Sequence, residues 1–202
     1  MYRLYDYLDS GNGYKVRQIL RLRKLPYQLV QVDIFKGESR TPEFLAKNPN
    51  GRIPLLELPD GRLLAESNAI LFYLAEGTNW LPEDSFDRAF ALQWLCFEQY
   101  SHEPNIATVR MWVRHGGIDD PDKQGLLAQK RKLGYAALSV METHLATRSF
   151  FVAERFTIAD IALYAYTHVA EQGGWDLAPY PAVRRWLLRC AAEPGVVDIT
   201  AG

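Results

Sequence analysis

Residues 10–13 read Ser-Gly-Asn-Gly, set between an apolar, aromatic run that stops at Asp9 and a segment with helical patterning. A strand that delivers a small polar loop onto a helix start is a common way to build a site. Ser10 and Asn12 bring a hydroxyl and an amide to such a loop, and no cysteine, histidine or acid stands at its centre. A second polar pair, Glu66-Ser67, opens another helical run. The free N–H groups and positive dipole end of a helix start favour a carboxylate there, although a serine in that place also reads as an ordinary N-cap. Other chemistry-bearing residues point elsewhere. Cys96 and Cys190 lie far apart in apolar helical stretches without a CxxC, which predicts two reduced core thiols. His102, His115, His144 and His168 show no metal-ligand spacing, so no metal site is expected. Thr157 and Asp160 have the spacing of a capping box, with Phe156 and Ile161 as its staple, and read as structural rather than as a catalytic pair.

The elements that must carry these residues divide into two kinds. Residues 2–7 read as a strand, and Tyr14 to Lys24 as a helix with Val16, Ile19 and Leu20 on one face and Arg17, Arg21 and Lys24 on the other. Pro26 breaks it. Residues 28–32 alternate like a strand, and Thr41-Pro42-Glu43 resembles a helix start with proline at the first helical position. "IPLLEL" and "RLLA", split by Pro59-Asp60-Gly61, predict a hairpin, and Ser67 to Glu76 a helix closed by Gly77. The first 77 residues therefore give β-α-β-α-β-β-α, a small mixed sheet with helices packed on it. Beyond them no convincing strand follows. Residues 78–85 read as a linker, and 86–202 as an all-helical domain with helices near 86–100, 123–145, 157–169 and 182–190. The fold class is thus α/β plus all-α. The first helix of the second half ends at "EQYSHEP", where Pro104 is read as its stop and Tyr100, Ser101 and His102 as lining a cleft or a dimer interface, with a solvated helix face as the alternative.

Composition excludes several classes of function. The chain has 202 residues, 48% of them hydrophobic, with a net charge of -1. That is enough apolar material for a core, and the balanced charge gives no reason to expect nucleic acid. No apolar run approaches the roughly 18 residues of a membrane span. The opening residues go straight into a strand pattern without the apolar core of a signal peptide, so a cytoplasmic protein is expected.

Three segments carry a resemblance. "NPNGRIPLLEL" (48–58) resembles the segment before the third strand of glutathione transferases, where the proline is cis; "AESNAILFYLAE" (65–76) resembles their next motif, a Glu-Ser pair opening a helix; "FTIADIALYAY" (156–166) resembles the capped helix of their C-terminal domain. Each is weak alone, and their order along most of the chain is specific. The sequence is similar to bacterial-type cytosolic glutathione transferases. The resemblance implies a thioredoxin-like N-terminal domain followed by an all-helical C-terminal domain, usually as a homodimer.

It also implies roles for residues. Ile53-Pro54 would be cis, turning the Ile53 backbone outward to pair with an extended peptide ligand as an added strand does. Ser67 and its N–H would take the α-carboxylate of glutathione and Glu66 its amine. Arg52 matches a position near the glycine end of the tripeptide, with a solvated surface arginine as the alternative; Lys36 is a weaker candidate of the same kind. In thioredoxins the place of residues 10–13 holds C-x-x-C, and here those cysteine positions read Ser10 and Gly13. The reactive sulfur must then come from the ligand. A hydroxyl or amide donor beside a helix start stabilises a thiolate and lowers the thiol pKa from about 8.5. Ser10 falls at the catalytic position of serine-type members, and Asn12 where some disulfide-reducing bacterial members place a polar donor. Many members carry cysteine where this chain has Gly13, a departure that argues against a cysteine-type mechanism. Tyr7 stays a minor donor candidate, and Tyr5 and Tyr7 read mainly as packing. The expected activity is conjugation of glutathione, as co-substrate, to a small hydrophobic electrophile. The alternatives are glutathione-dependent disulfide or peroxide reduction, and a non-enzymatic binding module of the same fold.

Overall fold

The structure is a computed structural model and describes residues 1–201. It divides into two units: Met1–Thr78 together with the tail from Pro194, and Asn79–Glu193.

In the first unit β1 (Tyr2–Asp6) leads into α1 (Gly11–Leu22), then β2 (Tyr27–Gln31), two short 3-10 turns, α2 (Pro42–Leu45), the hairpin strands β3 (Leu55–Glu57) and β4 (Leu63–Ala65), and α3 (Ser67–Ala75). The element order and the thioredoxin-like character expected from the sequence are those observed. The sheet runs β2-β1-β3-β4, with β1 and β2 parallel and the other two pairings antiparallel. Its register sets Val30, Tyr5, Leu55 and Ala65 in one row across the four strands. Strand alternation sends that row to a single face, where Phe44 of α2, Val32 and Ile53 complete an apolar cluster. The neighbouring row, Leu29, Leu4, Leu56 and Leu64, faces the opposite way. α1 and α3 pack against each other, and Val16, Ile19 and Leu20 of the one and Ile70, Leu71 and Leu74 of the other are fully buried.

Three expectations about this unit change. α1 starts at Gly11 rather than Tyr14, because Ser10 caps it: the Ser10 Oγ accepts from the Gly13 N–H at 3.2 Å. Arg17, expected on the solvated face, is 2% exposed. Its guanidinium pairs with Asp6 at the end of β1, itself fully buried, and a charged group on an otherwise apolar helix face needs such a partner to be buried at all. The tail from Pro194, read from the sequence as part of the helical domain, groups with the first unit. The cause is polar. Gln18 Nε2 donates to the Gly195 carbonyl at 2.8 Å, Tyr14 Oη donates to that of Val197 at 2.9 Å, and Arg17 Nη2 donates to that of Ile199.

The second unit is helical: α4 (Ser85–Phe97), α5 (Glu103–His115), α6 (Gln124–Leu145), α7 (Ile158–Thr167) and α8 (Pro181–Ala192). Residues expected to be a simple linker pack on it, since Leu81 and Pro82 are buried and the Trp80 carbonyl accepts from Ile158 N at 2.9 Å. Pro104 does not end a helix. α4 passes through a π-helical turn, Glu98–His102, directly into α5, whose first turn holds the proline. Proline is tolerated there because it has no N–H to satisfy, and Asn105 Nδ2 donates to the Ser101 carbonyl at 2.7 Å within the same turn. Tyr100 and His102 do not share a surface: Tyr100 is 87% exposed and His102 is fully buried, bonded through Nε2 to Thr167 Oγ1 at 2.9 Å. Cys190 is buried as expected, but Cys96 is exposed on α4.

Every residue of α7 is buried, and its start is tied down by Asp160. The capping box with Thr157 is present. The carboxylate also accepts from Phe151 N at 3.1 Å and Trp186 Nε1 at 2.9 Å, so it joins α7 to α8 and to the segment before α7. Burial pushes the Asp160 carboxyl up to about 6, with the bonds from Trp186, Thr157 and Phe151 pulling the other way. The folded state thus binds this proton more tightly than the unfolded chain, and the contribution of the group declines as pH rises from about 4 through about 6. Asp160→Ala strands four buried donors, Phe151 N, Thr157 N, Thr157 Oγ1 and Trp186 Nε1, and is expected to cost about 2–4 kcal/mol at pH 7. Thermal denaturation should show a larger gap between wild type and variant at pH 4 than at pH 7. A gap that widens with pH contradicts the raised pKa.

Candidate functional site

Ser10 and Asn12 lie at the start of α1, and Glu66 and Ser67 at the start of α3. Between β1 and α1 the chain turns tightly, with Ser10 N bonded to the Tyr7 carbonyl at 2.8 Å and Tyr14 N to that of Ser10 at 2.9 Å. Ser10 is half-buried and spends one lone pair on the Gly13 N–H; its hydroxyl proton remains a donor. Asn12, in the first turn, has its oxygen held twice: Oδ1 accepts from Ser67 Oγ at 3.1 Å and from Lys15 Nζ at 2.9 Å. The loop and the Glu-Ser pair, 55 residues apart in the chain, are therefore in direct contact.

At α3 the helix cap is Glu66, not Ser67. Glu66 is exposed, sits at φ 68°, and makes no side-chain cap bond. A non-glycine residue in that region carries backbone strain of order 1–3 kcal/mol and is concentrated at ligand sites. Ser67 is the first helical residue, 4% exposed, so the ordinary N-cap reading does not apply to it. Its hydroxyl is committed to Asn12 and accepts from Lys15 Nζ at 3.4 Å. The Ile53–Pro54 peptide is cis, as the resemblance implied, with Ile53 half-buried. Arg52 and Lys36 are exposed, and Lys36 pairs with Asp33 at 3.2 Å. Tyr7 stacks edge-on with Phe35 at 5.6 Å, which agrees with a packing role.

Sequence reasoning missed Lys15 and Asp6. Lys15 is fully buried, and its ammonium also donates to Asn68 Oδ1 at 3.3 Å. The readable signal was its spacing. Asn12, Lys15 and Ile19 follow at i, i+3 and i+7, which puts a lysine on the buried stripe of α1. Asp6 explains Gly13. A Cβ built on Gly13 would collide with the Asp6 carboxylate, held in place by Arg17. Burial pushes the Asp6 carboxyl up to about 6, against the pull of the Arg17 charge. Cysteine at position 13 has no room in this arrangement.

The described residues contain no group of three or more histidine, cysteine or acidic side chains placed to hold a metal ion, and no helix long and apolar enough to cross a membrane. What the arrangement offers is a set of donors: hydroxyl, amide and ammonium, at two helix starts.

Residues 10–76 match the family model for the glutathione S-transferase N-terminal domain, and residues 89–194 that for the C-terminal domain. Among solved structures, a possible glutathione S-transferase from Rhodopseudomonas palustris is 52% identical with a TM-score of 0.96, over 100% of this chain and 91% of that one. A glutathione transferase family member from Pseudomonas fluorescens, solved with two glutathione bound, is 31% identical with a TM-score of 0.82, over 96% and 89%. Among characterised relatives, the maleylacetoacetate isomerase of Rhizobium meliloti is 34% identical, over 93% of this chain and 90% of its own.

The Gly13 contact yields a stability test. Gly13→Ala is expected to cost about 2 kcal/mol or more, through overpacking against a buried ion pair. Gly125→Ala, in α6 with open space around it, should leave stability equal or slightly higher. Urea denaturation of both variants checks this; equal stabilities for Gly13→Ala and wild type contradict the contact.

Proposed function

The chain belongs to the glutathione S-transferase family, and from that premise we propose that it binds glutathione, stabilises the thiolate, and adds it to a small hydrophobic electrophile. The observation that carries this reading is the bond between Asn12 and Ser67, which joins the loop that would meet the sulfur to the helix start that would meet the γ-glutamyl carboxylate. Glutathione is long enough to need both. Its extended backbone would lie along Ile53 beside Pro54, its carboxylate at Ser67, its amine at Glu66 and its glycine end toward Arg52. Lys36, paired with Asp33, would contribute least.

The chemistry follows from the donor set. Ser10 Oγ–H and the Asn12 amide would donate to the sulfur, favouring the charged form over the thiol. The thiolate attacks the electrophilic carbon; a C–S bond forms as the leaving group departs with its electron pair. No thiol of the protein stands in residues 10–13 to form a mixed disulfide, and this supports conjugation over a cysteine-type exchange. The enzyme would work in the cytoplasm as a homodimer, in line with the resemblance.

Calorimetry with glutathione, and ultraviolet absorbance of the bound thiolate against pH, test the proposal. The bound thiol should titrate about one to two units below its free value, equivalent to about 1.4–2.7 kcal/mol. Ser10→Ala or Asn12→Ala, whichever removes the main donor, should return the pKa toward the free value and depress turnover of an activated aryl halide at neutral pH, with recovery in alkali. Affinity should change little. Turnover of a disulfide substrate with none of the aryl halide replaces conjugation by reduction. An unshifted thiol in the wild type defeats the reading.

A further inference from the structure

We propose that Asn48 is a positioning residue of the glutathione site: its side chain holds the Arg52 carbonyl and so sets the direction of the Ile53 N–H that would pair with the middle of the ligand. The inference rests on the glutathione reading above.

Asn48 follows α2 and is 6% exposed. Its own N–H donates to the Phe44 carbonyl at 2.9 Å, and Phe44 belongs to the apolar cluster on the sheet. The two ends of its amide serve the segment that follows. Oδ1 accepts from Asn50 N at 3.2 Å, an Asx turn, and Nδ2 donates to the Arg52 carbonyl at 2.8 Å. The Asn48 carbonyl accepts from Gly51 N at 2.8 Å, and Gly51 sits at φ 60°. Residues 48–52 are thus folded around one side chain. Exposed Arg40 braces the same turn: its Nη1 donates to the Asn50 carbonyl at 3.0 Å, and a Cβ on Gly51 would stand 2.6 Å from that nitrogen.

The consequence lies in the plane of one peptide. The Arg52–Ile53 bond is trans, so its C=O and N–H point in opposite directions within a rigid plane. Asn48 Nδ2 holds the C=O. The Ile53 N–H therefore points away from Asn48, and it cannot swing round without breaking that bond. A ligand that adds like a strand pairs with main-chain groups, and a group already fixed in direction loses less freedom on binding. The exposed Arg52 side chain leaves the same residue, so its starting direction is set by the same bond. Ser10 and Asn12 are held by other bonds, to Gly13, Lys15 and Ser67. Asn48 thus governs the half of the ligand beyond the thiol and leaves the thiolate donors alone.

The test separates the two halves of the ligand. Glutathione is compared by calorimetry with γ-glutamylcysteamine, which keeps the γ-glutamyl group and the thiol and ends there. Asn48→Ala removes the amide. Asn48→Asp keeps an acceptor for Asn50 N and loses the donor to Arg52. Both should bind glutathione about three- to tenfold more weakly, the scale of one hydrogen bond, and γ-glutamylcysteamine about as the wild type does. KM for glutathione should rise by the same factor, with kcat and the thiol pKa of the bound ligand unchanged. A residue that only holds the fold would lower the melting temperature and leave the ratio of the two affinities unmoved. Equal losses for the two ligands, or no loss, overturn the inference, while failure of the wild type to bind glutathione overturns the underlying reading. Should neither Asn48 variant fold, Arg40→Met decides, since Arg40 is exposed and its loss spares the core. Glutathione should then weaken about two- to threefold and γ-glutamylcysteamine not at all; an unchanged ratio overturns the proposal.

Discussion

One buried ion pair organises the first unit. Asp6 closes β1 and Arg17 stands two turns into α1, and both are shut off from solvent. Burying two charges is expensive, and their attraction offsets the cost only when further hydrogen bonds complete the geometry. Arg17 finds them in the Leu8 and Ile199 carbonyls. The pair thus fastens the strand to the helix, the loop before the helix to both, and the C-terminal tail to all three. Removing either partner would leave an uncompensated buried charge, which makes the geometry of residues 7–13 hard to alter piecemeal. Gly13 follows from it, because the Asp6 carboxylate occupies the space a side chain would need.

That constraint separates two jobs at the start of α1. Ser10 caps the helix and holds the turn; Asn12 reaches across to α3. A cap must satisfy N–H groups of its own helix, whereas a ligand-facing donor must be held by something else. Lys15 and Ser67 hold Asn12, and the pair Asp6–Arg17 holds the helix that carries it. The precision of the site is set two layers below the groups that would meet a ligand.

Much of this fold was legible because it is written in local rules. The 2-residue alternation of β1 and β3, the Pro-Asp-Gly turn and the Thr157–Asp160 capping box each specify structure within a few residues. The contact between residues 10–13 and 66–67 could be expected only through resemblance to a family, since nothing local joins segments so far apart. The errors share a cause. Arg17 read as solvated because periodicity ranks residue types and cannot see Asp6 arriving from another element. Pro104 read as a stop because proline inside a helix and proline at the first turn of the next helix look alike in sequence. Cys96 read as core because α4 is apolar over more than one face, and only packing decides which face is covered. The tail read as helical-domain chain because three side chains of α1 capture it through backbone carbonyls, which leave no trace in residue type.

Lys15 shows the same limit from the other side. A lysine on an apolar stripe is usually discounted as a side chain that extends its charge to water. Here no route to water exists, and the ammonium is retained by neutral oxygens from two helix starts. The chain has no thiol in residues 10–13 and has no space for one at position 13; it keeps in their place a cation, an amide and two hydroxyls. Such a set cannot attack anything. Under the proposed function it would make another molecule's sulfur easier to ionise, and the bonds that hold Asn12 and Ser67 would keep the set in place.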